Sequence, residues 1–414
     1  MSNSIKTNNT AKRVFNDGRD WFFEKRFGLF VHWGLYAING LHEQEQMRYC
    51  VPAEEYVKLI DQFNPVKFNP DRWLDLAQEA GMEYLVLTAK HHDGFCLWDT
   101  TLTDFNVMNS PYKKDIVAML SEACHRRGIN LEIYYSVVDW HHPAYPNIGR
   151  HHEIQTDQIS HDWDKYMDFL KGQIRELCSN YGTIHGIWWD MNVPEHKDPS
   201  VHEMIRKLQP SALINNRGFG DGDYSTPERD FDPEGANPDE RAFKRPTEAC
   251  QSVGANSWGY RRDEDYFSVK YFQRNIAKTL AMGGNYLLNA GPDAMGEFPS
   301  ESVFILKELG KWYGKVKEAL TAEPAPGLIE NRRVLTTRKG ENIYIVCPDD
   351  LDSGTLSLRP LEREPKEVVL LNTGASIQYT LEPTVYEMAK GKALRLRNIP
   401  VNKLNSEVAV FKVI

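Results

Sequence analysis

The sequence predicts an α/β protein: an irregular (β/α)8 TIM-like barrel over residues 1–325, followed by an antiparallel β-sandwich over residues 326–414. Three observations carry this. Short apolar segments alternate with amphipathic segments of helical period as far as about residue 320, the pattern of βα units that build a parallel sheet. Segments such as Gly186-Ile187-Trp188-Trp189 are apolar at every position, as strands covered on both faces are. Past the junction Ala322-Glu323-Pro324-Ala325-Pro326-Gly327 the helical period stops and short alternating β-branched runs take over.

The elements follow in order. Phe27–Gly34 is the first strand. Pro70–Gly81 has helical spacing and closes on Gly81, a residue suited to the left-handed position past a helix. Tyr84–Lys90 is the second strand. Asp115–Gly128 is a helix with His125, Arg126 and Arg127 in its last turn, where cations complement the helix dipole. Asn130–Ser136 is the third strand. The helix Trp163–Tyr181 leads to a fourth, which ends on Asp190. The helix Val201–Leu208 precedes a strand at Ala212–Arg217. Glu248–Ser252 is a short strand, Val269–Met282 a helix and Asn285–Ala290 a strand. These are seven strand candidates. An open doubly wound sheet is disfavoured because no GxGxxG or phosphate loop follows the first strand. Beyond the junction, Asn342–Val346, Thr355–Leu358, Glu367–Leu371, Ala393–Arg397 and Ala409–Ile414 read as strands of a supporting β-domain.

Composition narrows the function classes. The 414 residues carry a net charge of −9, and no long basic run is available to neutralise a nucleic-acid backbone. No apolar stretch approaches the ~20 residues of a membrane span. Met1 to Asn9 is polar and lacks the apolar region of a signal peptide. The expectation is a cytoplasmic chain, or a periplasmic or secreted one whose leader has been removed. The six cysteines are scattered without a CxxC pair, so buried free thiols are expected. No cofactor motif is present.

Polar residues gather at the ends of the predicted strands, the end of an α/β barrel where chemistry is done. His32 ends the first strand, His91 and His92 the second, Tyr135 and Ser136 the third, Asp190 the fourth, and Asn215, Asn216 and Arg217 the fifth. Asn289 and Gly291-Pro292-Asp293 end the last, either as pocket wall or as a turn. Each feature has a plain structural alternative: Asp190 as a turn or cap residue, a lone histidine as a packed core residue. Their convergence fits two chemistries. One is a metal site, since imidazoles and carboxylates are ligands. The other is a sugar pocket with two carboxylates for glycoside cleavage. Paired histidines at His141-His142 and His151-His152 invite a zinc reading, but their surroundings offer no closed tetrahedral set.

The runs FGLFVHWGLY, YLVLTAKHHDGFCLWDT, GIWWDMN, NNRG with TPE eleven residues on, SWGY, and GGNYLLNAGPDAMGEFP resemble retaining α-L-fucosidases of glycoside hydrolase family 29 over roughly residues 14–320. The resemblance implies a barrel followed by a β-sandwich, and a mechanism with two carboxylates and neither metal nor cofactor. It implies a fucosylated oligosaccharide or glycoconjugate as substrate, with no nucleic acid and no membrane as partner. Asp190 matches the nucleophile, which must be ionised, so Arg217 or a histidine is expected to hold it so. Two residues match sources of the acid/base: Glu228, preferred on its spacing from Arg217, and Glu248. The plain readings are a first-turn helix residue for Glu228 and a strand residue for Glu248. His32, His91, His92 and Tyr135 match the fucose-binding set. A Glu from His42-Glu43-Gln44-Glu45-Gln46 joins them, with Glu45 favoured over Glu43. Trp258 is expected on the apolar face of the sugar, with core packing as its alternative. Two other readings stand beside this one: a metal-dependent barrel hydrolase, and an inactive fucose-binding relative.

Overall fold

The computed structural model describes residues 14–150, 152–154, 162–191, 197–229, 242–329, 333–361, 363–383, 391–404 and 406–414. His151 lies outside them.

Seven strands form one all-parallel sheet: β1 (Phe27–Val31), β2 (Tyr84–Lys90), β3 (Asn130–Ser136), β4 (Gly186–Asp190), β5 (Leu213–Ile214), β6 (Glu248–Ser252) and β7 (Asn285–Asn289). Their order is 5-4-3-2-1-7-6, so the sheet curls from β5 round to β6. Among the described residues no eighth strand joins this sheet. Instead the segment after β5 spans the gap by isolated parallel bridges, Asn215 to Tyr224, Ser225 to Thr247 and Glu228 to Cys250. The Glu248 amide donates to the Ser225 carbonyl (2.9 Å) and the Cys250 amide to the Pro227 carbonyl (3.0 Å). The predicted strand Ala212–Arg217 shrinks to two residues: past Ile214 the Asn215 side-chain amide, in place of a continued ladder, bonds the Trp189 backbone of β4, and Arg217 reaches Thr226 in the loop that follows.

Strand parity divides the sheet into two surfaces. Phe30, Tyr84, Val86, Tyr134, Trp188, Leu213, Cys250 and Leu287 fill the concave side, together with Trp21 and Phe22 from the N-terminal segment. The opposite side chains, such as Leu29, Leu85, Ile133 and Tyr135, pack outward in the large core under the helices. The main helices are α1 (Pro70–Glu79), α2 (Ile116–Arg127), α3 (Trp163–Asn180), α4 (Pro199–Leu208), α5 (Val269–Ala281) and α6 (Ser300–Leu320). Asn69, Asp115, Asp162, Asp198 and Ser268 accept backbone amides as N-caps of the first five. Gly128 closes α2 in the left-handed conformation at φ 66°. Helix α6 escapes sequence reading because glycines interrupt it. Gly310 is there for close approach: a Cβ would lie 2.0 Å from the Glu79 carbonyl oxygen at the end of α1.

After α6 the chain forms separate antiparallel sheets of six and three strands. Their facing residues, among them Ile345, Phe411, Leu394 and Leu396, make a second core. The other face of the larger sheet, with Tyr344, Val346 and Val410, joins the core under α5 and α6. The Trp312 indole donates to the Val408 carbonyl (3.1 Å) across that contact. Four strands beyond the expected ones, Glu323–Pro324, Leu335–Lys339, Ala375–Ser376 and Gln378–Pro383, complete these sheets. Cys50 is exposed and the other five cysteines are buried, all as free thiols. Among the described residues no helix is long and apolar enough to cross a membrane.

Candidate active site

The concave face of the sheet ends in a pocket of buried polar side chains at the C-terminal ends of the strands. Asp190 is the last residue of β4, and parity turns it inward above Trp188. Its Oδ2 accepts from the Tyr134 hydroxyl (2.6 Å) and its Oδ1 from Arg217 Nη1 (3.1 Å). His92 Nε2 lies 3.9 Å from Oδ2. Burial alone would raise the Asp190 pKa. Arg217 foremost, then His92 and the Tyr134 hydrogen bond, outweigh it and hold the carboxyl below its ordinary value.

Arg217 is the hub. Its guanidinium lies 4.8 Å over the Trp188 ring. Nε donates to Thr226 Oγ1 (2.7 Å) and Nη2 to the Thr226 carbonyl (2.7 Å). Nη1, which holds Asp190, also donates to Glu228 Oε1. Two carboxylate oxygens on one nitrogen atom are no farther apart than the ~5.5 Å of a retaining glycosidase pair. The two environments differ: the Asp190 side chain is 10% exposed and that of Glu228 40%. Glu228 thus stands at the mouth and Asp190 on the floor.

Glu248 is elsewhere. It is the first residue of β6, at the opposite end of the sheet from Asp190, and is fully buried. It accepts from the Tyr84 hydroxyl (2.7 Å) and the Trp188 indole (2.9 Å), so the indole of Trp188 covers it from above. Burial pushes its pKa up to about 7, and that of Glu132, which accepts from the Tyr224 hydroxyl (3.2 Å), well above the usual range. A carboxyl near 7 suits acid–base work, but position decides. Glu248 belongs to a buried polar layer under the pocket, and the expectation that it serves as acid/base is not supported.

The histidines line the opposite wall. His32 follows β1, and His91 and His92 follow β2. The His91 and His92 rings lie 4.0 Å apart, and His91 stacks on Tyr134 (5.8 Å, 15° between planes). Burial, then mutual repulsion for His91, lowers all three pKa values, to about 4 for His32 and His92. Near neutral pH they are uncharged hydrogen-bonding groups. Trp258 is half-buried, 5.3 Å from the His32 ring. Asn289 stands behind His32, while the Asp293 carboxylate caps the amides of Met295 and Glu297, so that stretch is a turn.

Two expected pocket residues are corrected. Tyr135 points outward: its hydroxyl donates to Gln173 on α3 (2.6 Å) and its ring lies under the Lys90 ammonium. Tyr134 holds the inward place. The signal was in the segment Asn-Leu-Glu-Ile-Tyr-Tyr-Ser, whose polar parity (130, 132, 134, 136) marks the lumen face and whose apolar parity marks the helix face. Glu45 bonds Asn39 (3.0 Å) beside Asp93, away from the histidines, and burial lifts its pKa to about 7. Glu43 takes the place beside His32. Its Oε2 accepts from Ser257 Oγ (2.6 Å) and the Trp258 amide (2.9 Å), which ties the Trp258 loop to the loop after β1. Burial alone would raise the Glu43 pKa, and His42, Ser257 and His32 bring it down. Nothing in so polar a loop marks Glu43 in advance.

Beneath the rim Lys90 pairs with Asp139, both almost fully buried. Lys90→Met should leave an unpaired buried carboxylate and destabilise the fold by about 3–5 kcal/mol. Urea unfolding at pH 7 reads this directly, and a loss under 1 kcal/mol contradicts it. Among the described residues no three His, Cys, Asp or Glu side chains are arranged to hold a metal ion.

Comparison with known proteins adds a family. The model of the family described as Alpha-L-fucosidase matches residues 2–318. Alpha-L-fucosidase isoenzyme 1 from Paenibacillus thiaminolyticus is 33% identical, covers 96% of this chain and 98% of its own, and superposes with a TM-score of 0.84. A family 29 enzyme from Bacteroides thetaiotaomicron, solved as a trapped covalent intermediate with 2-fluoro-fucosyl fluoride, is 28% identical. It covers 100% of this chain and 99% of its own, with a TM-score of 0.82. The human tissue alpha-L-fucosidase is 26% identical over 94% of this chain and 87% of its own length.

Proposed function

The chain belongs to the alpha-L-fucosidase family, glycoside hydrolase family 29, and from that premise we propose that Asp190 and Glu228 hydrolyse terminal α-L-fucose by double displacement. The substrate is a fucosylated oligosaccharide or glycoconjugate, cut from its end. The observation that carries this reading is the shared guanidinium nitrogen of Arg217, which holds one oxygen of a buried carboxylate and one of a mouth carboxylate and so suits a retaining pair. The fold is read as a (β/α)8-type barrel over residues 1–325 with Tyr224–Glu228 in place of the eighth strand, backed by a β-sandwich over 326–414.

The steps follow from the geometry. Fucose enters with its anomeric carbon over Asp190. Asp190, kept ionised by Arg217, attacks that carbon, and Glu228 gives its proton to the leaving oxygen. Sugar and enzyme are then joined as an ester. Glu228, now a carboxylate, takes a proton from water, and the water oxygen displaces Asp190. Configuration inverts twice and is retained. His32, His91, His92 and Glu43 bind the ring hydroxyls, and Trp258 covers an apolar face. The ring hydroxyls are thereby checked individually.

Release of 4-nitrophenol from its α-L-fucoside tests the function, with no turnover of that substrate or of a fucosylated oligosaccharide as the refuting result. Two variants test the assignments. Tyr134→Phe removes one hydrogen bond to a charged oxygen and should lower kcat/KM about 10- to 100-fold. An unchanged value excludes Tyr134 from the site. Glu248→Gln keeps the shape of a residue remote from the sugar, so kcat/KM should stay within about 10-fold, with no gain from azide. A collapse that azide reverses would restore Glu248 as the acid/base.

A further inference from the structure

Two pocket histidines are each backed by a side chain whose own hydrogen is already committed. His92 Nδ1 lies 2.7 Å from Ser136 Oγ. The single hydroxyl hydrogen of Ser136 goes to the Val138 carbonyl oxygen, 2.7 Å away, and a carbonyl can only accept. The serine oxygen therefore meets His92 as an acceptor, and the ring proton sits on Nδ1. His32 repeats the device with other residues. Its Nδ1 lies 2.7 Å from Asn289 Oδ1. The Asn289 amide nitrogen donates to the Trp258 carbonyl (2.6 Å) and to Ser252 Oγ (3.0 Å). The Trp258 carbonyl fixes which end of that amide is nitrogen, so its oxygen faces His32 and must be met by an N–H. A neutral imidazole carries one N–H, and both Nε2 atoms are left as lone pairs.

We propose that Ser136 and Asn289 are positioning residues that lock His92 and His32 as Nδ1–H tautomers, so that the pocket meets the sugar with two imidazole lone pairs and accepts only hydrogen-donating groups there. The proposal rests on the fucosidase reading of this site. The anchors are well placed for the task. Ser136 ends β3 and Asn289 ends β7, so each is held by the sheet, whereas the histidines stand just beyond strand ends. Burial keeps both rings neutral near pH 7, which leaves the tautomer as the open choice.

The lock matters most at His92. Its Nε2 and Asp190 Oδ2 face each other at 3.9 Å, and in this tautomer no proton stands between them. In the other tautomer an Nε2–H would face Asp190 across 3.9 Å, too far for a hydrogen bond but close enough for its positive end to draw on the lone pair needed for attack. The Ser136 hydrogen bond thus keeps a third proton away from the nucleophile, which already accepts from Tyr134 and Arg217. It also makes His92 the acceptor for a sugar hydroxyl beside the reacting carbon. A hydroxyl replaced by fluorine keeps its size and polarity but cannot donate, so the pocket should bind it more weakly.

The test has two arms. Nitrogen-15 spectra of histidine-labelled wild type at pH 7 should show both rings protonated at Nδ1 and bare at Nε2. An Nε2-protonated or cationic ring at either position overturns the lock, whatever the enzyme cleaves. In the second arm, fucose analogues with one ring hydroxyl at a time replaced by fluorine compete against the aryl fucoside. Wild type should bind the analogues altered opposite His32 and His92 roughly 10- to 100-fold more weakly than fucose. Ser136→Ala should move the His92 proton to Nε2 and lower kcat more than it changes KM, and Ser136→Thr should restore both the spectrum and the rate. Uniform binding of all analogues, or a Ser136→Ala variant with unaltered kcat, overturns the specificity claim. Failure of wild type to cleave any fucoside would refute the functional reading instead, while the spectra still judge the tautomers.

Discussion

Asp190→Ala is expected to lower kcat/KM for an aryl α-L-fucoside by at least ~10⁴-fold, about 5.4 kcal/mol of transition-state stabilisation. The residue is buried, anchored by Tyr134 and Arg217 and held ionised, so no neighbour replaces it. Azide gives the more decisive reading, because its product records which carboxylate is missing. In Asp190→Ala the azide enters the space of the lost carboxylate and attacks directly, so the configuration inverts once and β-L-fucosyl azide forms. In Glu228→Ala the covalent ester still forms, and azide displaces it in a second inversion, giving the α-azide. The same product from both variants, or rescue of neither, overturns the pairing.

Arg217→Met should cost roughly 10²–10³-fold in kcat/KM at pH 6 and leave a pH dependence as its mark. In the native protein burial raises the Asp190 pKa and Arg217 leads the groups that bring it below its ordinary value. Without the guanidinium, burial prevails and the pKa rises. The acid limb of kcat/KM should therefore move up by about 1–3 pH units, and part of the lost activity should return as pH increases. The sign for stability follows from the same shift. A depressed folded pKa stabilises the native state above the unfolded value, and this contribution is lost as pH falls through the folded one. The variant should therefore lose less stability than wild type between about pH 5 and pH 3. An unchanged acid limb in urea-stable protein would remove Arg217 from its role.

Much of the fold is legible in the chain because the strands obey one rule. β2, β3 and β6 have the predicted bounds, since each is flanked by turn residues and buried on both faces. Asp190, Arg217 and the three histidines stand out because strand ends expose chemistry at fixed places. What stays hidden depends on pairing and on loops. The choice between Tyr134 and Tyr135 is a question of register, which periodicity alone leaves open until the polar parity of β3 is weighed. Glu43 is picked out only by the amides of a loop more than 200 residues later, a contact no local pattern encodes. The last helix is obscured by Gly310, whose purpose is a crossing with a distant helix.

The bridging segment after β5 has a consequence for how such an enzyme can diversify. Asp190 is pinned by the β3–β4 ladder, which pairs it with Ser136, so moving it means moving the sheet. Glu228 hangs from isolated bridges on a stretch with no repeating register. One partner of the pair is a fixed datum and the other an adjustable arm. Descendants can lengthen, shorten or reroute that arm, supplying the acid from a new sequence position, without disturbing the point where the sugar is attacked. On the proposed assignment, Asp190 should therefore be easy to align across distant relatives and Glu228 difficult.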